Sequence, residues 1–266
     1  MVHSKVASQS STSVSIVLLA YNEAQNLPAV IESIHQALDG RIPKYEVIIV
    51  NDGSRDDTGR VAENLAKQNS NIIVLHNPKN RGCGFTFMRG AGVAKYEYVW
   101  LIPGDGEITS ESIRTISNNI GKADMIIPYV LNFKIRPLSR RIVSWGYTTL
   151  LNTLFWKRLR YYNGPCVIRT KLVKPMPTVN SRGFAFMAPI LLRLLKQKHT
   201  YTEVGIILQN RRHGRPSVNQ IFNIFSALKT VIWLFWDINV LNHIKRFGRV
   251  NMTMNKNKKQ GDEEIW

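Results

Sequence analysis

Four short apolar runs set the plan of this chain. Residues 14–20, 45–50, 72–75 and 98–102 each read as a strand, the first and last with the apolar character of a buried one. Between them, apolar residues recur at helical spacing. Leu27, Val30, Ile31, Ile34 and Leu38 predict an amphipathic helix over about residues 24–38. Asp56 or Asp57 can cap a second helix, with Val61 and Leu65 on its inner side. Asn80-Arg81-Gly82-Cys83-Gly84 opens a third, through about Ala94. Strand and helix in alternation predict parallel βαβ units with right-handed crossovers, an α/β fold whose mostly parallel, Rossmann-like sheet is flanked by helices.

The residues that follow the strands are as telling as the strands. Tyr21 and Glu23 follow the first, Asp52 the second, and Asp105 and Glu107 the fourth. In such sheets ligands bind beyond the carboxyl ends of the strands, near a switch in strand order. Five polar or acidic side chains gathered on that edge are hard to explain as fold maintenance. The fourth run stops abruptly at Pro103-Gly104, and two carboxylates one residue apart come next. Taken alone this is equally a solvated acidic turn. As part of a site, its oxygen donors suit a hard divalent cation, Mn²⁺ or Mg²⁺. Gly104 and Gly106 remove side chains where phosphates could approach the backbone.

Composition narrows the partners. The 266 residues carry 36 Lys and Arg against 18 Asp and Glu, a formal charge of +18 that favours an anionic partner. No RNA-binding module is recognisable, so nucleic acid is not expected. Cys83 and Cys166 have no metal-ligand spacing and form no disulfide framework, which points to a reducing compartment. Residues 1–13 are polar, Ser-rich and without the apolar centre of a signal peptide, and are expected to be a disordered lead-in.

The second half reads less regularly. A helix follows Thr109 to about Ile120, and residues 124–129 form another strand. Residues 132–162 are basic and aromatic, with Lys134, Arg136, Arg140, Arg141, Trp145 and Trp156 among them. Leu138, Ile142, Thr149, Leu150 and Leu154 predict one long helix there with a buried face. A helix over 184–195 and a mixed strand over 201–208 follow. Asn210-Arg211-Arg212-His213-Gly214-Arg215 is a basic loop suited to phosphates, or simply a solvated one. Residues 221–241 are apolar and aromatic but interrupted by Asn223, Lys229, Asp237 and Asn239. An amphipathic helix in a membrane interface fits them better than a span. The lysines and arginines after it suit anionic head groups. The expected division is lead-in 1–13, catalytic domain 14–217, interfacial helix 218–243 and basic flexible tail 244–266.

Ala-Tyr-Asn-Glu at 20–23, Asn-Asp-Gly-Ser at 51–54, Asn-Arg-Gly-Cys-Gly at 80–84 and Pro-Gly-Asp-Gly-Glu at 103–107 together resemble family 2 glycosyltransferases of the A-type fold. The nearest subgroup in appearance is that of the dolichol-phosphate mannosyltransferase-like enzymes. The resemblance is dense over about residues 14–110 and thinner to about 217. It implies a metal-dependent inverting transfer of a sugar from a nucleotide diphosphate sugar to a polyprenyl phosphate, by an enzyme peripheral on the cytoplasmic face of a membrane. A glycan or other hydroxyl acceptor, and a degenerate nucleotide- or membrane-binding protein without turnover, remain open alternatives.

Carried over position by position, Ala20, Tyr21 and Glu23 match residues that hold the nucleotide base. Val50 and Asp52 match a second base and ribose contact. The family's acidic motif usually runs Asp-x-Asp-x-Gln. Here Pro103 stands at the first Asp, Asp105 at the second, Glu107 at the Gln and Gly104 at the small residue between the acids. One potential metal ligand is thereby lost and another made anionic. Ser-Arg-Arg-Ile-Val-Ser at 139–144 resembles the family's arginine-containing helix, which makes Arg140 a candidate phosphate contact; a second family arginine is Trp145 here. Arg211 and Gly214 fit the family's Arg-x-x-Gly-x-Ser loop over the diphosphate, although Ser217 arrives one residue late.

Overall fold

The computed structural model describes residues 12–177, 184–214 and 231. Most of the expected lead-in, Ser217, and all but Val231 of the expected interfacial helix and basic tail lie outside the described residues. The four leading runs form β1 (Ser13–Ala20), β2 (Lys44–Asn51), β3 (Ile72–His76) and β4 (Tyr98–Pro103). Later come β5 (Met125–Val130), β6 (Val167–Arg169) and β7 (Tyr201–Ile206). The sheet runs β3-β2-β1-β4-β6-β5-β7. Strands β1 to β4 pair in parallel, as do β5 and β7, while β6 lies antiparallel between β4 and β5.

The order places the switch point. From β1 the chain steps to β2 and β3 on one side, then returns to β4 on the other. The crevice beyond Leu19 and Pro103, which are paired in register, is therefore where a ligand is expected in an open α/β sheet.

Alternation along the strands divides the core. Ile16 and Leu18 of β1 face α1 (Leu27–Leu38), α2 (Thr58–Gln68) and α4 (Ser110–Ser117). Val17 and Leu19 face α3 (Cys83–Val93), α5 (Leu138–Phe155), α6 (Thr170–Val173) and α7 (Met187–Lys196). Helix α1 starts at Leu27 rather than near residue 24. Pro28 belongs in a first turn, and the residues before it form a turn in which the Glu23 carbonyl accepts from Asn26 and Leu27. Thr109 caps α4 by accepting from Ser112 N at 3.1 Å.

The amino end of the sheet is tied by Arg169. Its Nε donates to Asp124 at 3.0 Å, and its Nη1 donates to Glu97. Asp124 in turn accepts from the Thr200 backbone and hydroxyl, so segments entering β4, β5 and β7 meet at one β6 residue.

One expectation is corrected. Helix α5 does not bury Leu138, Ile142 and Leu150, which are 65%, 59% and 36% exposed. Only Leu151 and Phe155, near its carboxyl end, are buried. Among the described residues, no helix covers the apolar side of its amino-terminal half. Val231 is 4% exposed and packs in the core cluster shared by α3, α5 and α7, so at this position the carboxyl-terminal segment touches the domain.

Candidate active site

The loops after β1 and β2 are zipped together. Asn22 takes a left-handed conformation (φ 56°). Its N–H donates to the Ser54 hydroxyl at 3.0 Å, and its side-chain oxygen accepts from Arg55 N at 2.8 Å. Glu23 N donates to Thr58 Oγ1 at 2.8 Å, and Ala24 N to Asp56 at 3.3 Å. These bonds set half-buried Tyr21 and buried Ala20 along one wall. Val50 is fully buried in the core, so any ligand contact there runs through its backbone.

Asp52 is a hub rather than a free acid. Its Oδ1 accepts from Asn77 Nδ2 at 2.7 Å and Arg81 N at 2.9 Å, and its Oδ2 accepts from Gly82 N at 2.9 Å. One carboxylate thus shapes the loop that opens α3. The adjacent Gly53 has φ 67°, and a Cβ there would lie 2.5 Å from the Lys79 carbonyl carbon. Both the αL backbone and the close approach require glycine. Asn77 and its bond to Asp52 had no signal in the sequence.

Beyond β4, Gly104 N donates to Leu19 O at 2.8 Å, and the place of a Cβ is closed by that same oxygen. The approach that demands glycine at 104 is therefore the neighbouring strand's. Asp105 Oδ1 accepts from Glu107 N at 3.1 Å. Burial raises the Asp105 carboxyl above its ordinary value, against the pull of the Glu107 N–H and of Arg211 and Arg136. Burial and then the Asp105 charge raise Glu107, against Arg136, Arg140 and Arg211. Two partly buried carboxylates that repel each other are a site for a cation. Among the described residues no three His, Cys, Asp or Glu side chains gather as a metal cluster. The donor set is two carboxylates, which matches a Mg²⁺-type ion that completes its shell with substrate phosphates and water.

Arg211 reaches this place through backbone pairing. Leu208 bridges to Ile108, Gln209 N donates to Glu107 O at 2.8 Å, and Gln209 Nε2 donates to Gly106 O at 2.8 Å. The chain after β7 is thereby laid along the acidic loop. Arg211 Nη2 donates to Glu23 Oε1, while its Nε holds the His213 carbonyl at 2.7 Å. Asn26 Nδ2 donates to the other Glu23 oxygen at 2.7 Å and to His213 O at 3.2 Å. Burial nonetheless keeps the Glu23 carboxyl above its ordinary value. The His213 side chain is exposed and only its carbonyl serves the loop.

The structure thus brings Glu23, Asp105, Glu107 and Arg211 together, with Arg140 near enough for its charge to act on Glu107. It adds Arg136, which the motifs do not mark. Trp145 is 71% exposed on α5. Cys166 is fully buried, and burial pushes its thiol well above the usual range. Burial and the nearby Asp52 push the Cys83 thiol up to about 12, so neither cysteine is a thiolate at neutral pH.

A model of the Glycosyl transferase family 2 domain matches residues 15–174, and the chain belongs to that family. A dolichyl-phosphate beta-glucosyltransferase of Trichomonas vaginalis is 32% identical over 151 residues, covering 52% of this chain and 46% of the relative. The chain therefore spans about half the length of that relative. A polyprenol monophosphomannose synthase of Mycolicibacterium smegmatis is 25% identical over 211 residues, covering 75% and 78%. An undecaprenyl-phosphate mannosyltransferase of Micrococcus luteus is 22% identical over 216 residues, covering 76% and 86%. Among solved structures, glucosyl-3-phosphoglycerate synthase of Mycobacterium tuberculosis superposes with a TM-score of 0.64 at 19% identity, covering 85% of this chain and 79% of that one. That likeness establishes the shared fold.

Proposed function

We propose that this protein is an inverting glycosyltransferase that moves a sugar from a nucleotide diphosphate sugar to a polyprenyl phosphate at a membrane surface. The observation that carries the reading is the meeting of Asp105 and Glu107 with Arg211 at the sheet's switch point, fastened by the Gln209 bonds to the acidic loop. The names of the relatives support the acceptor class, since all three sequence relatives above act on a prenyl-type phosphate or alcohol by name. The fold's solved neighbour has been crystallised with Mn²⁺ and UDP.

The residues divide the work. Ala20, Tyr21 and the zipped loops around Asn22 and Ser54 offer the nucleoside a wall, with Asp52 holding that wall in shape. Asp105 and Glu107 would hold Mn²⁺ or Mg²⁺, which as a Lewis acid neutralises charge developing on the leaving diphosphate. Arg211 swings from Glu23 to that diphosphate and stabilises the same charge with a rigid guanidinium fork. Arg140, as second choice to Arg211, would stabilise the leaving diphosphate. An acceptor phosphate oxygen is already ionised, so displacement at the anomeric carbon requires no general base from the chain.

Membrane contact is part of the proposal. No helix among the described residues is long and apolar enough to cross a bilayer. The outward Leu138, Ile142, Val143 and Trp145 of α5 stand beside Arg140 and Arg141, a face suited to an anionic lipid surface.

A thermal-shift screen of GDP, UDP, CDP and dTDP with and without Mn²⁺ tests the function. Ligands that bind only the folded state raise its apparent stability. A metal-dependent shift with one nucleotide is expected. No shift with any of them, from folded protein, would return the chain to the class of binding proteins without turnover.

A further inference from the structure

The arginine that no motif marks is the best-prepared cation of the site. Arg136 follows the short 3-10 turn Phe133–Ile135. Its Nη1 donates to the Tyr161 hydroxyl at 2.9 Å, and its guanidinium carbon lies 5.7 Å from the Phe133 ring centre and 5.9 Å from that of Tyr161. The two rings meet edge to face with centroids 6.3 Å apart. A guanidinium held by two rings and a hydroxyl has little freedom left to lose when an anion binds.

The turn that carries it is anchored to the reaction centre. Asn132 Nδ2 donates to Leu208 O at 2.7 Å, and Asn132 Oδ1 accepts from Leu208 N at 2.9 Å. Leu208 bridges to Ile108, the residue after Glu107. The Arg136 charge acts on both Asp105 and Glu107, yet among the described residues Arg136 forms no ion pair. Its hydrogen-bonding fork is only partly used.

The same two rings, Phe133 and Tyr161, line a groove of about 440 Å³ together with Leu138, Ile142 and Trp145. Leu138 and Trp145 are 65% and 71% exposed, an apolar wall facing outward with Arg141 and Arg160 along it. A fixed cation stacked on two rings that also line an apolar trough complements one kind of ligand, an amphiphile with an anionic head.

We propose that Arg136 receives the acceptor's head group, a phosphate monoester, and that the groove between Phe133 and Trp145 takes the first units of its apolar chain. This rests on the transferase reading above, which makes the acidic loop the reaction centre. Tyr161 and Phe133 are then positioning residues that act through Arg136.

The test is calorimetric titration of the full chain with farnesyl phosphate, farnesol and inorganic phosphate. Wild type is expected to bind farnesyl phosphate about tenfold or more tightly than either of the others, the size of one charged hydrogen-bonding contact. Arg136→Gln should bring farnesyl phosphate down to the farnesol level, and Arg136→Lys should restore part of the difference. Trp145→Ser should weaken farnesyl phosphate and farnesol alike. If Arg136→Gln does not fold, Tyr161→Phe removes only the restraining hydroxyl and should weaken farnesyl phosphate by about threefold. Nucleotide-induced thermal shifts are followed on Trp145→Ser, where they should not move. Unchanged farnesyl phosphate affinity in Arg136→Gln overturns the proposal, and so does equal wild-type affinity for inorganic phosphate, which would make this a free-phosphate site. Arg136-dependent binding in a protein that no nucleotide stabilises would leave this assignment standing and defeat the transferase reading instead.

Discussion

Arg211 and Glu23, 188 positions apart, form an ion pair whose side chains are only 14% and 9% exposed. One follows β7 and the other follows β1, so the pair closes the loop after β7 over the mouth of the switch point. Each partner has a prospective use in donor binding, and in this structure each satisfies the other. On the proposed function, donor binding would exchange the Arg211–Glu23 bond for a bond between Arg211 and the diphosphate.

Removing one partner of a buried pair leaves the other charge without compensation, which costs about 3 kcal/mol or more. Arg211→Ala should lower unfolding stability by that order and slow sugar transfer. The double variant Arg211→Ala with Glu23→Gln should recover part of the stability, because no buried charge is stranded, while transfer stays slow. Urea unfolding of wild type and the two variants measures the first effect. A single variant as stable as wild type would mean that the pair contributes no more than a surface bridge.

Asp105→Asn and Glu107→Gln each remove one of two carboxyls that burial raises, Glu107 being raised further by the Asp105 charge. Each should leave the fold intact or slightly stabilised and abolish the Mn²⁺ dependence of nucleotide binding. Titration of Mn²⁺ in the presence of nucleoside diphosphate, followed by its spin resonance signal, reads this without turnover. Full retention of Mn²⁺ binding by Asp105→Asn would remove that residue from the metal site.

Gly53→Ala is expected to destabilise by roughly 2 kcal/mol or more, since it combines a left-handed backbone with a Cβ 2.5 Å from the Lys79 backbone. The strain falls on the loop that Asp52 organises, so nucleotide affinity should fall with stability. Gly40→Ala is the comparison: φ is 64° but nothing lies within 4 Å of its Cβ, and only the backbone cost applies.

At the opposite end of the sheet, burial alone would raise Asp124, but the Thr200 backbone and hydroxyl and Arg169 outweigh it and hold the carboxyl below its ordinary 3.8. A depressed carboxyl contributes stability that is fully present above that ordinary value and is lost as pH falls through the lower, folded value. Wild type should therefore lose stability on acidification below pH 3.8 more steeply than Asp124→Asn. Chemical denaturation at stepped pH compares the two, and parallel curves would show that the Arg169 cluster adds no pH dependence.

β1, β2 and β4 were legible because parallel strands buried on both faces must be continuous apolar runs; β3, at the sheet edge, is apolar too although Ile73 is 36% exposed. Their ends were legible because polar residues return where the sheet meets solvent. β1 to β4 each fall within one residue of the expected bounds at either end. Helix α5 was misread for a related reason. Helical spacing of Leu138, Ile142 and Leu150 shows that a helix has an apolar side, and says nothing about whether another element covers it. Arg136 carried no signal, because one arginine in a basic stretch looks like its neighbours until Phe133 and Tyr161 close around it.

Sequence alone was enough for the α/β plan and for placing the acids Glu23, Asp52, Asp105 and Glu107 just after strand ends, since these follow from local pattern and from the order of strand and helix. Which acids are free and which are occupied was settled by contacts between distant segments. Asp52 is spent on the Asn77–Gly82 loop and Glu23 on Arg211, while among the described residues Asp105 accepts only from Glu107 N and neither Asp105 nor Glu107 forms an ion pair. The reason is physical. A carboxylate's role depends on the donors within about 3 Å of its oxygens, and here those donors lie up to 188 positions away in the chain.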